Sequence, residues 1–126
     1  MPQLAKGGKW VFGWVMVRPD RTVTIPVAAW REYRFQQGDE AMMLRGSATS
    51  GGFAVGIAAR IPEVLSQRSL GRSRFEAERT VRLPDAVPVL EGQRLLAVRG
   101  SGHALGFLAQ GRIYELALSH PLMQEK

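Results

Sequence analysis

Two short stretches rich in glycine and serine carry the side chains best suited to binding a ligand. The candidate ligand-binding residues are Arg45, Gly46, Ser47, Ser50, Arg99, Gly100, Ser101 and His103. Glycines let backbone N–H groups converge on an anion, and hydroxyl and guanidinium groups add further donors. The pattern indicates a site for a small anionic ligand, although glycines that permit tight turns and serines that cap them would give the same pattern. Neither stretch is a P-loop, because no Gly-Lys-Ser/Thr follows at the required spacing.

Arginines provide a second candidate site. The formal net charge is +6, and arginine supplies 14 of the 17 basic residues, a balance that favours nucleic acid or another polyanion. Four arginines fall at a predicted hairpin turn and on the outer side of a predicted helix: Arg18, Arg21, Arg31 and Arg34. Such a patch would contact phosphates without reading base sequence; the alternative is an ordinary solvated surface. The corresponding turn of the second half carries Glu76 and Glu78, which argues against symmetric DNA binding.

The chain lacks the residue combinations of an enzyme. It contains no cysteine, and its two histidines, His103 and His120, lack the spaced companions of a metal site or a catalytic triad. Asp39 and Glu40 are adjacent on a predicted strand, so their carboxylates point to opposite faces and cannot act as an acid/base pair. We therefore expect no enzymatic activity, no metal and no cofactor.

The three tryptophans raise the question of base stacking. We interpret Trp10, Trp14 and Trp30 as core residues, since each lies in an apolar or amphipathic run. A stacking platform for single-stranded nucleic acid would require them to lie beside exposed arginines.

An internal repeat predicts which elements position these residues. Arg21–Phe53 contains RTVTIP, QQGDEAMMLRGS and SGGF, and Arg79–Phe107 contains RTVRLP, LEGQRLLAVRGS and LGF. Pro84 follows Pro26 by 58 positions, whereas the glycine and phenylalanine matches recur after 54. Because repeats of this kind determine the fold, we expect the two segments to superimpose about a pseudo-twofold axis within one β-barrel.

The domain organisation follows from this repeat. We predict a single domain over 1–126, with repeats at about 10–58 and 75–110, a connector at 59–74 and an amphipathic C-terminal helix at 111–120. Pro26 and Pro84 should each end a strand, because proline cannot donate to a ladder. A short helix is expected over Val27–Phe35, whereas Pro88 should prevent a helix in the second half.

The composition also bears on location and assembly. No apolar run approaches the ~20 residues of a membrane span, and Met1–Trp14 is too short and too rich in glycine for a secretory signal. Absence of cysteine suits a reducing compartment. We expect a cytoplasmic protein without a membrane partner, acting as a monomer or homodimer.

Short motifs in both halves carry a family resemblance. In the first half they are Thr24-Ile25-Pro26, Gly38-Asp39 and the strand Glu40–Leu44, and in the second they are Arg82-Leu83-Pro84 and Gly92-Gln93. Over Arg18–Val55 and Glu78–Ala109 the chain resembles the AbrB-like transition-state regulators and, more broadly, the cradle-loop barrels with their GD box. The resemblance implies two units interlocked in one barrel, usually across a dimer but here within one chain. The second half departs from the pattern in having Gln93 for aspartate and in lacking the helix.

The expected fold is therefore mainly β: a two-repeat, pseudo-twofold, AbrB-like cradle-loop barrel with one or two short peripheral helices. The leading functional hypothesis is a small DNA-binding regulator that contacts phosphates through its arginine-rich face. The alternative is a binding module for a small anionic ligand held by the two RGS loops. A third hypothesis is a protein-interaction adaptor that uses the terminal helix.

Overall fold

A computed structural model describes residues 10–46 and 51–120. Within these ranges, eight antiparallel strands form one sheet that curls into a nearly closed barrel, which confirms the mainly β prediction. The strands are β1 (Val11–Met16), β2 (Thr22–Thr24), β3 (Glu40–Arg45), β4 (Phe53–Ile57), β5 (Ser69–Glu76), β6 (Thr80–Arg82), β7 (Arg94–Arg99) and β8 (Ala104–Leu108). The helices are α1 (Val27–Glu32), α2 (Glu63–Ser66) and α3 (Arg112–Ser119), and single 3₁₀ turns span Ala58–Arg60 and Ala77–Arg79. None of the helices described is long and apolar enough to cross a membrane.

The strand order interleaves the two halves of the chain. Around the sheet it runs β1-β7-β8-β4-β3-β5-β6-β2, so β1 pairs with β7, β2 with β6, β3 with β5 and β4 with β8. The first and last strands of this order, β1 and β2, are joined by a tight turn in which the Arg18 N–H donates to the Thr22 carbonyl at 3.0 Å. Every strand therefore relies on at least one strand from the other half for its backbone hydrogen bonds.

The barrel interior is filled by alternate residues of each strand. Successive side chains of a strand point to opposite faces, so Met43 faces inward from β3 and Leu95 faces inward from β7. Phe53 and Phe107 lie directly opposite each other on β4 and β8, and their rings stack with centroids 4.9 Å apart. Both phenylalanines are buried, as the sequence predicted.

The outer faces of β3 and β7 are covered as well. Met42 and Leu44 of β3 pack beneath Ile61 and the partly buried Leu65 of α2. The outward residues of β7, Leu96 and Val98, pack in the same way beneath α3, with Ile113 and Ala117 above them. Burial on both faces explains why these strands are continuous apolar runs rather than alternating ones.

Hydrogen bonds recur at matching positions in the two halves. The Gly38 N–H donates to the Phe75 carbonyl at 2.8 Å, and the Gly92 N–H donates to the Val17 carbonyl at 2.6 Å. The Asp39 carboxylate accepts a hydrogen bond from the Gln36 N–H at 3.2 Å. Gln93, which stands where the second half would have aspartate, makes the same kind of bond, because its side-chain oxygen accepts from the Leu90 N–H at 3.0 Å.

Two unusual backbone conformations also recur. Arg21 and Arg79 both have positive φ, 62° and 60°, and each of their carbonyls accepts a 2.8 Å bond from the opposite half. Gly13 and Gly71, with φ of 144° and 126°, both lie at an irregularity of strand pairing.

Several element boundaries were predicted correctly. Strand β2 ends at Thr24 before Pro26, and β6 ends at Arg82 before Pro84. Helix α3 lies within the predicted 111–120, and α1 lies within the predicted Val27–Phe35.

The predicted connector at 59–74 needs correction, because most of strand β5 lies within it. Strand β5 pairs with β3 in the barrel, from Glu40 opposite Arg74 to Leu44 opposite Ser69. Its inward positions include the small residues Gly71 and Ser73, so the period-two pattern lacks the apolar face by which a strand is usually recognised.

The predicted equivalence of Phe53 and Phe107 is displaced by two residues. In the first hairpin Phe53 pairs with Arg45, whereas in the second Arg99 pairs with Leu105. Phe107 therefore occupies the position that Val55 has in the first half. The cause is a tighter second hairpin, since five residues separate Arg99 from Leu105 whereas seven separate Arg45 from Phe53.

Truncation of Phe107 tests the stacked pair at the centre of the sheet. Phe107→Ala should lower the free energy of unfolding by about 3–5 kcal/mol, because it removes a buried ring and leaves a cavity. Chemical denaturation measures this change. Leu90→Ala is the control, because Leu90 is 76% exposed and its truncation should cost less than about 0.5 kcal/mol. A cost below about 1 kcal/mol for Phe107→Ala would contradict the packing described.

Candidate functional site

Arg18 and Arg21 make local bonds that hold the β1–β2 turn. The Arg18 guanidinium donates from Nε to Thr22 Oγ1 at 3.0 Å and from Nη1 to Thr24 Oγ1 at 2.7 Å. Asp20 accepts from the hydroxyl and the backbone N–H of Thr22, and these hydrogen bonds lower the pKa of its carboxyl. Arg18 is thus half-buried within the turn rather than extended into solvent.

The Arg21 side chain forms hydrogen bonds to the second half of the chain. Its guanidinium donates to four backbone carbonyls, those of Leu83 (3.2 Å), Pro84 (2.7 Å), Val87 (3.0 Å) and Val89 (3.1 Å). These carbonyls belong to the segment between β6 and β7, which has no helix to satisfy them. Four bonds to main-chain oxygen give Arg21 a structural role and leave it little capacity for a phosphate.

Arg31 and Arg34 have the opposite character. Arg31 lies in the last turn of α1, Arg34 follows that helix with φ of 56°, and both are exposed. These two residues of the predicted basic patch are therefore available to a partner.

The two RGS loops lie at opposite ends of the β4–β8 pair. Phe53 opposite Phe107 and Gly56 opposite Ala104 fix an antiparallel register in which each loop enters its strand at a different end. Of the first loop, Arg45 is exposed, Gly46 donates to the Gly52 carbonyl at 3.2 Å, and Ser47 and Ser50 lie outside the described residues. The described parts of the two loops therefore do not form one shared site.

The second loop packs against α1. The Gly100 N–H donates to Tyr33 Oη at 3.1 Å, and Tyr33 Oη donates to the Ser101 carbonyl at 3.3 Å. The His103 N–H donates to Ser101 Oγ at 3.2 Å, which makes Ser101 a turn-stabilising residue.

A cleft forms where this loop meets the end of α1. It has a volume of about 300 Å3 and is lined by Glu32, Tyr33, Arg34, Phe35, Ile57, Arg60, Gly102 and His103. The cleft joins one residue from each predicted site, Arg34 and His103. It adds Arg60, whose Nη1 donates to the Tyr33 carbonyl at 3.2 Å.

The charges of the cleft are predominantly positive. Its carboxylate, Glu32, is paired with Arg99 through two 2.6 Å hydrogen bonds, and the bond from Arg99 lowers the pKa of Glu32. Burial raises the pKa of Tyr33, so its hydroxyl remains neutral. No ion pair among the described residues involves Arg34 or Arg60. The cleft therefore presents two guanidinium groups whose charge is not compensated.

A larger groove runs along the outside of β2 and β6 but has mixed charge. Its volume is about 550 Å3, and it is lined by Arg18, Asp20, Thr22, Thr24, Glu76, Glu78, Arg79 and Thr80. Three carboxylates against two guanidinium groups make it a poor site for a polyanion. Within residues 10–46 and 51–120, no group of three or more potential ligands could hold a metal ion.

Sequence reasoning missed Arg60 and Tyr33 as members of the site. Arg60 lay in the predicted connector, and Tyr33 lay in the helix predicted over Val27–Phe35, where it was not singled out as a site residue. No local motif marks either residue, because the fold brings together the C-terminal end of α1, which carries Tyr33, and the 3₁₀ turn that ends at Arg60.

The chain matches no model of a known protein family, and no curated protein matches it. The assignment of function therefore depends on the cleft and its charges.

Replacement of Arg21 tests its structural role. Arg21→Lys should lower the free energy of unfolding by about 1–3 kcal/mol, because lysine cannot donate to the four carbonyls in the same fork geometry. The exposed Arg31→Lys is the matched control and should change stability by less than about 0.5 kcal/mol. Equal stability of the two variants in urea would show that Arg21 does not support the segment between β6 and β7.

Proposed function

We propose that the chain is an AbrB-like cradle-loop barrel whose two halves are tandem repeats related by a pseudo-twofold axis. The strand order supports this, because exchanging β1–β4 with β5–β8 leaves the order around the barrel unchanged. The matching bonds of Gly38 and Gly92, and the shared conformation of Arg21 and Arg79, support it further.

The repeat extends to the peripheral helices in this proposal. Arg112-Ile113 follows Arg60-Ile61 by 52 positions, and the same spacing relates Val55 to Phe107 in the observed strand register. Ile61 and Ile113 each pack onto the outer face of equivalent strands, β3 and β7. On this basis α2 and α3 are the matching last elements of the two repeats.

We propose that the protein is a small nucleic-acid-binding regulator whose phosphate contacts lie at the cleft beside α1. The observation that carries the proposal is the convergence of Arg34, Arg60 and His103 where Arg99 neutralises the carboxylate Glu32. Arginine suits phosphate because its planar fork donates two parallel bonds. Exposed Arg31, in the last turn of α1, extends the positive surface beyond the cleft.

The proposed interface is one-sided. Pro88 stands at the position of the second repeat that corresponds to Arg34, and the turn that corresponds to Arg18–Arg21 carries Glu76 and Glu78. In this proposal the segment between β2 and β3 binds the partner, and the segment between β6 and β7 maintains the barrel. Arg18 and Arg21 then contribute through the fold rather than through phosphate contacts.

A small anionic ligand in the same cleft is the second candidate. The concave shape and the volume of about 300 Å3 favour it, since small-molecule sites are recessed in this way. The two candidates differ in how affinity depends on length. A nucleic acid should bind more tightly as phosphates are added beyond the cleft, whereas a small ligand should not.

The salt dependence of binding tests the proposed interface. Each phosphate contact contributes about −0.9 (duplex) or −0.7 (single strand) to the slope of log affinity against log salt. Removing two contacts through Arg34→Gln with Arg60→Gln should flatten that slope by about 1.4 for a single strand and about 1.8 for a duplex. Fluorescence anisotropy with labelled 20-nucleotide DNA, and with a mononucleotide as competitor, measures both slope and length dependence.

The control variant combines Arg68→Gln with Arg112→Gln, two exposed arginines outside the cleft. It removes the same net charge. If both double variants flatten the slope equally, binding reflects overall charge and the cleft is not the interface. Absence of salt-sensitive binding by the wild type would reject the nucleic-acid function in favour of the small anion.

A further inference from the structure

We infer that the nucleic acid bound at the cleft is single-stranded and that one of its bases stacks on Trp10. This inference rests on the proposed function, because it assumes that phosphates bind beside α1. It adds a stacked base to the phosphate contacts, and because only an unpaired base can stack in this way, it predicts a preference for single strands over duplexes.

Trp10 differs from the other two tryptophans in its exposure. Trp14 packs edge-on against Tyr114 at 5.3 Å, and Trp30 packs edge-on against Phe75 at 5.4 Å. Trp10 is 41% exposed and is the aromatic member of the exposed large hydrophobic residues in the described chain. An exposed indole loses apolar contact with water when a base covers it, so it is suited to stacking.

Arg99 connects Trp10 to the cleft. The Arg99 guanidinium lies 5.9 Å from the centre of the indole ring, within the range of a cation–π contact. The backbone N–H of Arg99 donates to the Trp10 carbonyl at 2.8 Å. The same guanidinium holds Glu32, which lines the cleft. Arg99 therefore contacts both the exposed indole of Trp10 and a side chain that lines the cleft.

This combination favours a single strand over a duplex. Proteins that bind single strands combine a positively charged groove with aromatic side chains on which bases stack. In a duplex each base is paired and already stacked on its neighbours, so its face is not available to an indole. Trp10 would contribute nothing to duplex binding, whereas an unpaired base next to a bound phosphate can reach it.

The experiment uses the full chain and four labelled 12-nucleotide probes: oligo(dT), an abasic strand with the same phosphates, oligo(U) and a duplex. We expect oligo(dT) or oligo(U) to bind more tightly than the abasic strand and the duplex. Trp10→Ala should weaken oligo(dT) binding by roughly 5- to 150-fold, the loss equivalent to one base–aromatic stack, and leave abasic binding within about twofold. Met16→Ala, at the other end of β1 and 57% exposed, is the control and should leave all four affinities unchanged.

Tryptophan fluorescence gives a readout that does not need the alanine variant to fold. Oligo(dT) should quench wild-type emission, and Trp10→Phe should remove that quenching while retaining most of the affinity, since phenylalanine still stacks. If the abasic strand binds as tightly as oligo(dT), if the duplex binds best, or if Trp10→Ala weakens all probes equally, base stacking on Trp10 is wrong and the phosphate site stands. If no probe binds in a salt-sensitive manner, the proposed function fails and the inference fails with it.

Discussion

The structure depends on the mutual pairing of two half-sheets. Each half of the chain supplies four strands, and each of those strands obtains backbone hydrogen bonds from a strand of the other half. An unpaired strand edge exposes a row of N–H and C=O groups and invites aggregation. The two halves remove one another's edges, and the same interleaving places both sets of inward side chains in one core. Neither half can bury its apolar face or satisfy its backbone alone.

The segment that links β2 to β3 and the segment that links β6 to β7 satisfy their own backbone in different ways. The first forms α1, whose N–H groups bond the preceding carbonyls, as Trp30 does with Pro26 at 2.9 Å. The second contains Pro88 and forms no helix, so its carbonyls need another donor. Arg21 provides it from the opposite half, with a planar guanidinium that reaches four oxygens. Backbone carbonyls are thus satisfied by helical hydrogen bonds in the segment between β2 and β3, and by the Arg21 guanidinium in the segment between β6 and β7.

This difference explains why the candidate site lies at one end of the barrel. The end that carries α1 gains two exposed arginines, Arg31 in the last turn of the helix and Arg34 just after it. At the other end, the corresponding segment is held down by Arg21 and carries Pro88 in place of Arg34. Under the proposed duplication, the segment between β2 and β3 carries the binding role, while the segment between β6 and β7 supports the fold.

The sequence was sufficient for much of the fold and for only part of the site. Prolines after β2 and β6, and the helical spacing of Ile113 and Ala117, are local signals, and the elements that they predict are present. Strand β5 was missed because Gly71 and Ser73 conceal its inward face. In the site, residue type alone cannot separate an arginine that bonds main-chain carbonyls, such as Arg21, from one that faces solvent, such as Arg34. That distinction depends on which distant segment lies beside each side chain.

Arg99 illustrates why geometry rather than bond strength gives the site its character. Its pair with Glu32 is substantially exposed, and exposed ion pairs contribute little to stability. Because the hydrogen bond from Arg99 lowers the pKa of Glu32, the carboxylate stays ionised and paired at neutral pH, and the pairing is lost only as pH falls through that lowered value. While it persists, one guanidinium cancels the charge that would repel a phosphate, joins the second loop to α1 and lies over the indole of Trp10. A weak interaction can therefore fix both the sign of the local charge and the position of the aromatic surface, the two properties on which the proposed binding depends.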